Sequence, residues 1–594
     1  MMLSVSVAQR RLCCGRMRKA VYRHLCCEVQ HRCAPAPSAH DEQEDTRRPS
    51  SRKIGTERTA QMTSKSARVL AALRAPHFLA SGVFGSFVNR ASNPECPRIL
   101  YLSALPLAQA MNNHNIKVIN FSNQDAVTYP IVKLIGTIEY ESSVSCQNQS
   151  DKNVYLTLNN KSDILITTNV VDGYFKFIVE LQNGKNQISV RYCCETIGIT
   201  LEYFSIKTEH AVIPLYVICE GHDGYFQAPP WENNNIESAC KRITLCSKLL
   251  QCVTAEKLYE HNLGRKTFNL ETDCQVFRSE LDYLEARNMN QVELWETIGR
   301  EIMKSDIGSE NKKYLAFLSC TVYWGENYTE AMKTHEDLLQ ITQGYVALGG
   351  GGLALFGTAC LYTWPESFEE IVLRFEDTTI VDRTQFLDDS CYRGTVGACF
   401  STTLGSVLHE LCHTFDLGHT EDGIMARGFD NIYKVFTRSH SGGQENVSKS
   451  LRDKIEFKEE FESDSLLERL QTENKKKEFT VIRKFEEIDD TFLTRSCAVL
   501  LCYHRWFNQT TPRQCSVLSF DNTNNLIKST SGIRVVEIRS QDVELVVQSW
   551  TFEGRVLKFS FQIPQDVFIS LCNGNYIIFV EDTIGCILKE EFRV

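Results

Sequence analysis

Four residues combine type and spacing in a way that could do chemistry: His409, Glu410, His413 and His419, in the pattern HExxHxxxxxH. Histidines four apart on a helix project from one face and can bind one zinc ion, and a glutamate beside the first can polarise a water held by that ion. A third histidine, ten residues after the first, would complete three neutral nitrogen ligands and leave one position open. Zinc lowers the pKa of water in such a position towards about 7. Glu410 would take that proton, the hydroxide would attack a carbonyl, and Glu410 would return the proton to the leaving amine.

A helix must position these groups. Ser401-Thr402-Thr403 offers an N-cap. Beyond it, Leu404, Leu408, Leu411 and Phe415 form one apolar stripe that packs on a core, which puts His409 and His413 on the opposite face. The helix must end after His413, and the chain must turn back to deliver His419. The metzincin pattern HExxHxxGxxH makes that turn with glycine. Here Asp416 holds the position and the glycine comes at 418. Aspartate tolerates the left-handed conformation less readily than glycine. Met425 is placed as a Met-turn methionine would be, beneath the site without binding the metal. Tyr433 is a candidate hydrogen-bond donor to the transition state, with packing as the alternative. Asp416 or Asp422 could accept a histidine N–H. Cys412 reads as a buried helix thiol, and His504 as a packed histidine.

Upstream, GYVALGGGGLALFGTACLYTW (344–364) carries no charge. Gly349 to Gly352 disfavour a membrane helix, so the segment reads as strand, loop, strand beside the catalytic helix. Glycines there would permit close approach of an extended peptide at a sheet edge. KYLAFLSCTVYW (313–324) and IPLYVICEG (213–221) read as buried strands. Glu237 to Leu263 and Val292 to Met303 read as helices.

Short Val-, Ile- and aromatic-rich runs separated by turn residues predict an Ig-like β-sandwich over 111–208 and a β-domain over 511–594. Asn183-Gly184 reads as a hairpin turn following Tyr174–Phe177. Residues 1–110 read as a disordered basic extension. Its arginine-rich, acid-poor stretch also has the composition of a mitochondrial transit peptide. Residues 453–490 are highly charged and read as a solvated segment.

The 594 residues are 43% hydrophobic and 23% charged, an ordinary globular composition. A net charge of −10 disfavours a nucleic-acid partner. The 24 cysteines show no CxxC pair, which favours free thiols in a reducing, cytoplasmic compartment, with the mitochondrion as alternative. Six N-x-S/T sequons, at Asn120, Asn148, Asn160, Asn327, Asn446 and Asn508, would matter only in a secreted chain. The N-terminus has no apolar run of signal-peptide length.

The segment HELCHTFDLGHTEDGIMARGFDNI, with GGGGLALFGTACLYTWP upstream, resembles a zinc metallopeptidase family known mainly from fungi. The resemblance runs from about residue 115 to the end. Members are similar in having a β-rich N-terminal part, a metzincin-like motif and a C-terminal β-region, and fungal members often add a jacalin-like lectin domain. The resemblance implies His409, His413 and His419 as ligands of one Zn2+ and Glu410 as catalyst. It gives no substrate.

The expected architecture is therefore α+β and multidomain: extension, sandwich, a zincin-like mixed α/β domain over 209–510, and the C-terminal β-domain. The expected activity is zinc-dependent hydrolysis of a peptide or protein. The alternative is a catalytically weak zinc-binding protein whose β-modules bind a protein or a glycan.

Overall fold

The computed structural model describes residues 114–140, 153–437, 491–508 and 516–594, apart from positions 160, 194 and 272. The extension over 1–110 and the charged segment over 453–490 lie outside the described residues. The fold is α+β, with an N-terminal β-sandwich, a mixed α/β region that carries the histidines, and a C-terminal β-region.

The sandwich has two sheets. Strands β1 (His114–Val118), β3 (Ile131–Tyr140) and β6 (Tyr174–Glu180) form one, in the order β1-β3-β6. Strands β2 (Asp125–Val127), β4 (Asn153–Leu158), β5 (Lys161–Asn169), β7 (Gly184–Tyr192) and β8 (Glu195–Tyr203) form the other, in the order β2-β8-β7-β4-β5. Asn183-Gly184 is not a hairpin turn. The chain leaves β6 in one sheet and enters β7 in the other. The reason is visible in β6, whose Phe175 to Val179 are all buried, so it cannot serve as one arm of a solvent-facing hairpin.

The middle region is built on a five-stranded sheet. β9 (Ala211–Glu220) lies between β10 (Gln275–Asp282) and β11 (Lys312–Leu318), parallel to both. Strand β13 (Leu353–Gly357) continues the sheet in parallel, and β12 (Ala347–Gly350) closes it as an antiparallel edge strand. β9 is buried on both faces, as its unbroken apolar run requires. Val212, Tyr216 and Ile218 pack with helix α1 (Ile236–Glu260). Ile213, Leu215 and Val217 pack with Leu294, Ile298 and Ile302 of helix α2 (Gln291–Lys304).

Helix α3 (Val396–Thr414) carries the first two histidines. It begins earlier than the hydroxyl triplet suggested: Thr395 is the N-cap, its Oγ1 accepting from Ala398 N at 3.2 Å. The triplet lies inside the helix because its hydroxyls find other carbonyls. Ser401 Oγ donates to Asp430 O at 2.7 Å, and Thr403 Oγ1 to Cys399 O at 2.8 Å. Leu404, Leu408, Leu411 and Phe415 are buried, as the stripe required. Thr403, Ser406, Glu410 and His413 are only partly buried and recur at helical spacing, so one narrow stripe of α3 faces a cleft.

Helix α4 (Arg495–Tyr503) joins the middle region to the C-terminal sheet. That sheet contains β14 (Leu518–Asp521), β15 (Leu526–Ser540), β18 (Asn575–Asp582) and β19 (Ile587–Arg593) in this order, with β16 (Val546–Thr551) and β17 (Lys558–Gln562) also paired to β15. Along β15, Val536 and Ile538 face a core of their own with Ile578 and Val580. Val535 faces the other way and joins the main core with Phe579, α3 and α4. That main core also includes Ile116, Leu134, Leu156, Phe177 and Leu201 of the sandwich. Sandwich, α3 and C-terminal sheet thus share one apolar interior.

Candidate metal centre

The imidazoles of His409, His413 and His419 converge through their Nε2 atoms. His413 Nε2 lies 3.1 Å from His409 Nε2 and 3.2 Å from His419 Nε2. Each Nδ1 faces a main-chain carbonyl: Ile424 O at 2.8 Å for His409, Leu417 O at 2.8 Å for His413, and Val543 O at 2.6 Å for His419. A carbonyl only accepts, so each Nδ1 carries the hydrogen and each Nε2 presents a lone pair. Three lone pairs aimed at one another repel unless a cation sits among them. Zinc–nitrogen bonds of about 2.05 Å at the tetrahedral angle separate neighbouring nitrogens by about 3.3 Å, close to the spacing found. The donor set fits one zinc ion. Among the described residues this triad is the one group of three or more potential ligands found close together.

The histidine acceptors are carbonyls, not Asp416 or Asp422. Burial holds all three imidazoles below their usual pKa, His409 to about 3. They are therefore neutral and ready to ligate at neutral pH. Asp416 instead meets Lys589 and His504. Burial opposes its charge, but His504 and Lys589 hold its carboxyl well below the usual range. His504 is buried and does not reach the triad. Cys412 is buried on the core side of α3, and burial pushes its thiol up.

Glu410 sits on the cleft stripe. Its Oε2 accepts from Gly349 N, on edge strand β12, at 2.7 Å. Burial pushes its carboxyl up to about 8, while the Gly349 N–H pulls the other way. A cation held by the imidazoles would further favour the carboxylate. The close approach foreseen for the glycine run occurs at Gly349, and the partner is α3 itself. Tyr345, Val346, Ala347, Leu361, Ser406 and Val407 help line a small pocket beside this contact.

Met425 is buried, and its carbonyl accepts from Thr420 N at 3.0 Å. Its neighbour Ile424 supplies the acceptor for His409. Tyr433 is half-buried. Its N–H donates to Ser401 Oγ at 3.2 Å, and its ring lies 5.9 Å from the Arg393 guanidinium. Ser401 is two turns, about 12 Å, along α3 from His409.

Sequence reasoning did not identify what holds His419. Its N–H donates to Glu544 O at 3.0 Å, and its carbonyl accepts from Val546 N at 2.9 Å. The turn between β15 and β16 therefore pairs with the ligand's own main chain. Nothing local to residues 409–425 signals a partner more than 120 positions downstream.

A helix bearing HExxH, a third imidazole brought back by a tight turn and an edge strand passing the glutamate make up a site whose donor set could hold a metal ion beside a carboxyl group. The chain belongs to the family described as "Putative peptidase family", whose model matches residues 115–533. A Saccharomyces cerevisiae protein described as a putative zinc metalloproteinase is 26% identical over 300 residues, covering 46% of this chain and 43% of its own length. A Schizosaccharomyces pombe protein of the same description is 26% identical over 297 residues, covering 46% and 45%. The chain spans less than half the length of either relative that it matches. A crystal structure of OgpA from Akkermansia muciniphila aligns over 65% of this chain and 94% of that chain, with 14% identity and a TM-score of 0.34, too low to define a shared fold. Among the described residues no helix is long and apolar enough to cross a membrane.

Proposed function

We propose that this protein is a metzincin-like zinc peptidase that hydrolyses a peptide or protein substrate at the His409–His413–His419 centre. The observation that carries the reading is the convergence of three neutral imidazole nitrogens within one turn of a carboxylate that faces the same cleft. One zinc ion bound there would polarise the scissile carbonyl and acidify water. The Glu410 carboxylate would act as the base for water in the cleft and return the proton to the leaving amine. His409, His413 and His419 would hold the ion, their carbonyl partners fix the tautomer, and buried Met425 would support the turn.

The substrate we envisage is an extended segment lying beside β12, the strand that passes Glu410. The pocket beside β12 would receive one of its side chains. The buried free thiols, among them Cys246, Cys252, Cys399 and Cys412, support a reducing compartment such as the cytoplasm, with the disulfide-bonded Cys193 as an exception. The test is a peptide-library cleavage assay on the purified chain, with metal content measured alongside. Cleavage should require zinc, stop with a chelator, and be lost in Glu410→Gln with zinc retained. Zinc binding with no hydrolysis above the Glu410→Gln background would overturn the enzyme reading in favour of a zinc-holding binding protein.

A further inference from the structure

The turn that delivers the third imidazole lacks the glycine of the metzincin pattern, and its replacement is gripped from the C-terminal sheet. Asp416 has φ 64°, a left-handed conformation that a Cβ disfavours. A residue kept there against that preference needs a compensating contact, and Asp416 has three. Its Oδ1 accepts from Lys589 Nζ at 2.7 Å, and its Oδ2 faces His504 Nε2 at 3.5 Å. Its carbonyl accepts from Arg539 Nη2 at 2.9 Å. Arg539 is itself fixed. It is fully buried, its Nε donates to Glu537 Oε2 at 2.8 Å, and its guanidinium lies 3.9 Å from the centre of the Phe579 ring.

Two further contacts tie the same turn to the same sheet. A Cβ at Gly418 would lie 2.5 Å from Glu544 O and 3.0 Å from Arg539 Cδ, so only glycine lets the chain approach this closely. His419 pairs through both main-chain groups with Glu544 and Val546, and through Nδ1 with Val543 O. By contrast, His409 finds its acceptor at Ile424, beside the Met-turn, and His413 finds its own at Leu417. The three ligands are therefore held unequally. Two project from α3, His413 taking its acceptor from Leu417 inside the turn, and the third depends on β15, β19 and the turn after β15.

We infer that Asp416, Arg539 and Lys589 are positioning residues for the third metal ligand, and that the C-terminal β-sheet is a working part of the metal centre. Asp416 latches the turn to the sheet, and His419 reaches the metal only while that latch is closed. Glycine at 416 would ease the backbone but offer no side chain to grip, which accounts for aspartate at a position where it is conformationally disfavoured. The inference rests on the three-imidazole reading of the site.

The test uses the full chain stripped of metal. Zinc affinity is measured by competition with a chelating dye, the visible spectrum is recorded with Co2+, and unfolding of each apo variant is followed to check the fold. Asp416→Gly keeps the left-handed turn and the Arg539 contact to its carbonyl, and removes the side-chain grip by Lys589 and His504. The latch predicts zinc affinity lower by about tenfold and a Co2+ spectrum moved towards that of His419→Ala. If aspartate serves only the turn's geometry, zinc binds unchanged or tighter, and the inference is overturned. Lys589→Met, at a half-exposed side chain whose loss does not threaten folding, should weaken binding by roughly threefold. The double variant should bind no more weakly than Asp416→Gly alone, because both changes act through one contact. Fully additive losses would overturn the latch. His419→Ala separates the two levels. If it binds zinc like the wild type, the three-imidazole reading fails and takes the latch with it. If it loses affinity while Asp416→Gly does not, only the latch fails.

Discussion

The main chain of Gly349 lies so close to that of Glu410 that a Cβ on Gly349 would sit 1.9 Å from the Glu410 carbonyl oxygen. Together with the 2.7 Å hydrogen bond from Gly349 N to Glu410 Oε2, this contact sets the distance between the edge strand and the base. Gly349→Ala must push β12 away from α3. The expected cost is about 1–3 kcal/mol of stability, with turnover falling more than zinc binding because the imidazoles are held elsewhere. Gly352→Ala is the control, since a Cβ there would meet only Lys312 O, 4.0 Å away. Denaturant unfolding and turnover of the two variants should separate clearly. If they behave alike, the contact does not govern the site.

Glu410→Gln should isolate the proton transfer. Glutamine keeps an oxygen acceptor for the Gly349 N–H, so strand and helix stay in contact. The general-base role predicts a fall in turnover of about 10²–10⁴-fold, with one zinc per chain still bound. Near-wild-type cleavage would remove Glu410 from the mechanism.

Tyr433→Phe decides whether that hydroxyl stabilises the transition state. With the Tyr433 main chain on Ser401 and its ring near Arg393, we expect turnover to stay within about threefold and stability to change by about 0.5 kcal/mol or less. A loss of about 10²-fold or more, as for removal of an oxyanion donor, would make it a catalytic residue reached through a conformational change.

The legible part of the site was what helical geometry dictates locally. His409 and His413 share a face because they are four apart, and the leucine stripe fixes which face is buried. The spacing to His419 required a reversal, and Asp416 at φ 64° supplies it. The N-cap was misplaced because Thr395 stands before Val396-Gly397, which shows no helical periodicity, whereas Ser401 to Thr403 look like a cap and instead bond carbonyls inside the fold. Asn183-Gly184 has hairpin chemistry, but the burial of β6 sends the chain to the other sheet. The partners of His419 and Asp416 were illegible for a different reason. Val543, Arg539 and Lys589 come close only when the C-terminal sheet packs, and no local pattern encodes that.

The pH dependence of stability should report on Glu410 directly. Its folded carboxyl is pushed up to about 8 by burial, against about 4.3 in an unfolded chain. Between these values the folded apo protein binds the extra proton, so this contribution to stability is intact below about 4.3 and is lost as pH rises through about 8. The buried imidazoles act with the opposite sign. Their folded pKa values are depressed, to about 3 for His409, so they cost stability as pH falls below about 6.5. Comparing apo wild type with apo Glu410→Gln cancels the imidazole contributions and leaves the carboxyl. The stability difference, wild type minus variant, should therefore decline steadily from pH 5 to pH 8 in denaturant titrations. With zinc bound, the cation favours the carboxylate in the folded state and lowers its pKa, so the same difference should become nearly flat over that range. A flat difference in the apo proteins would mean that Glu410 is already ionised without metal. The carboxylate would then be charged by its protein surroundings alone, and the metal would not be needed to make it a base.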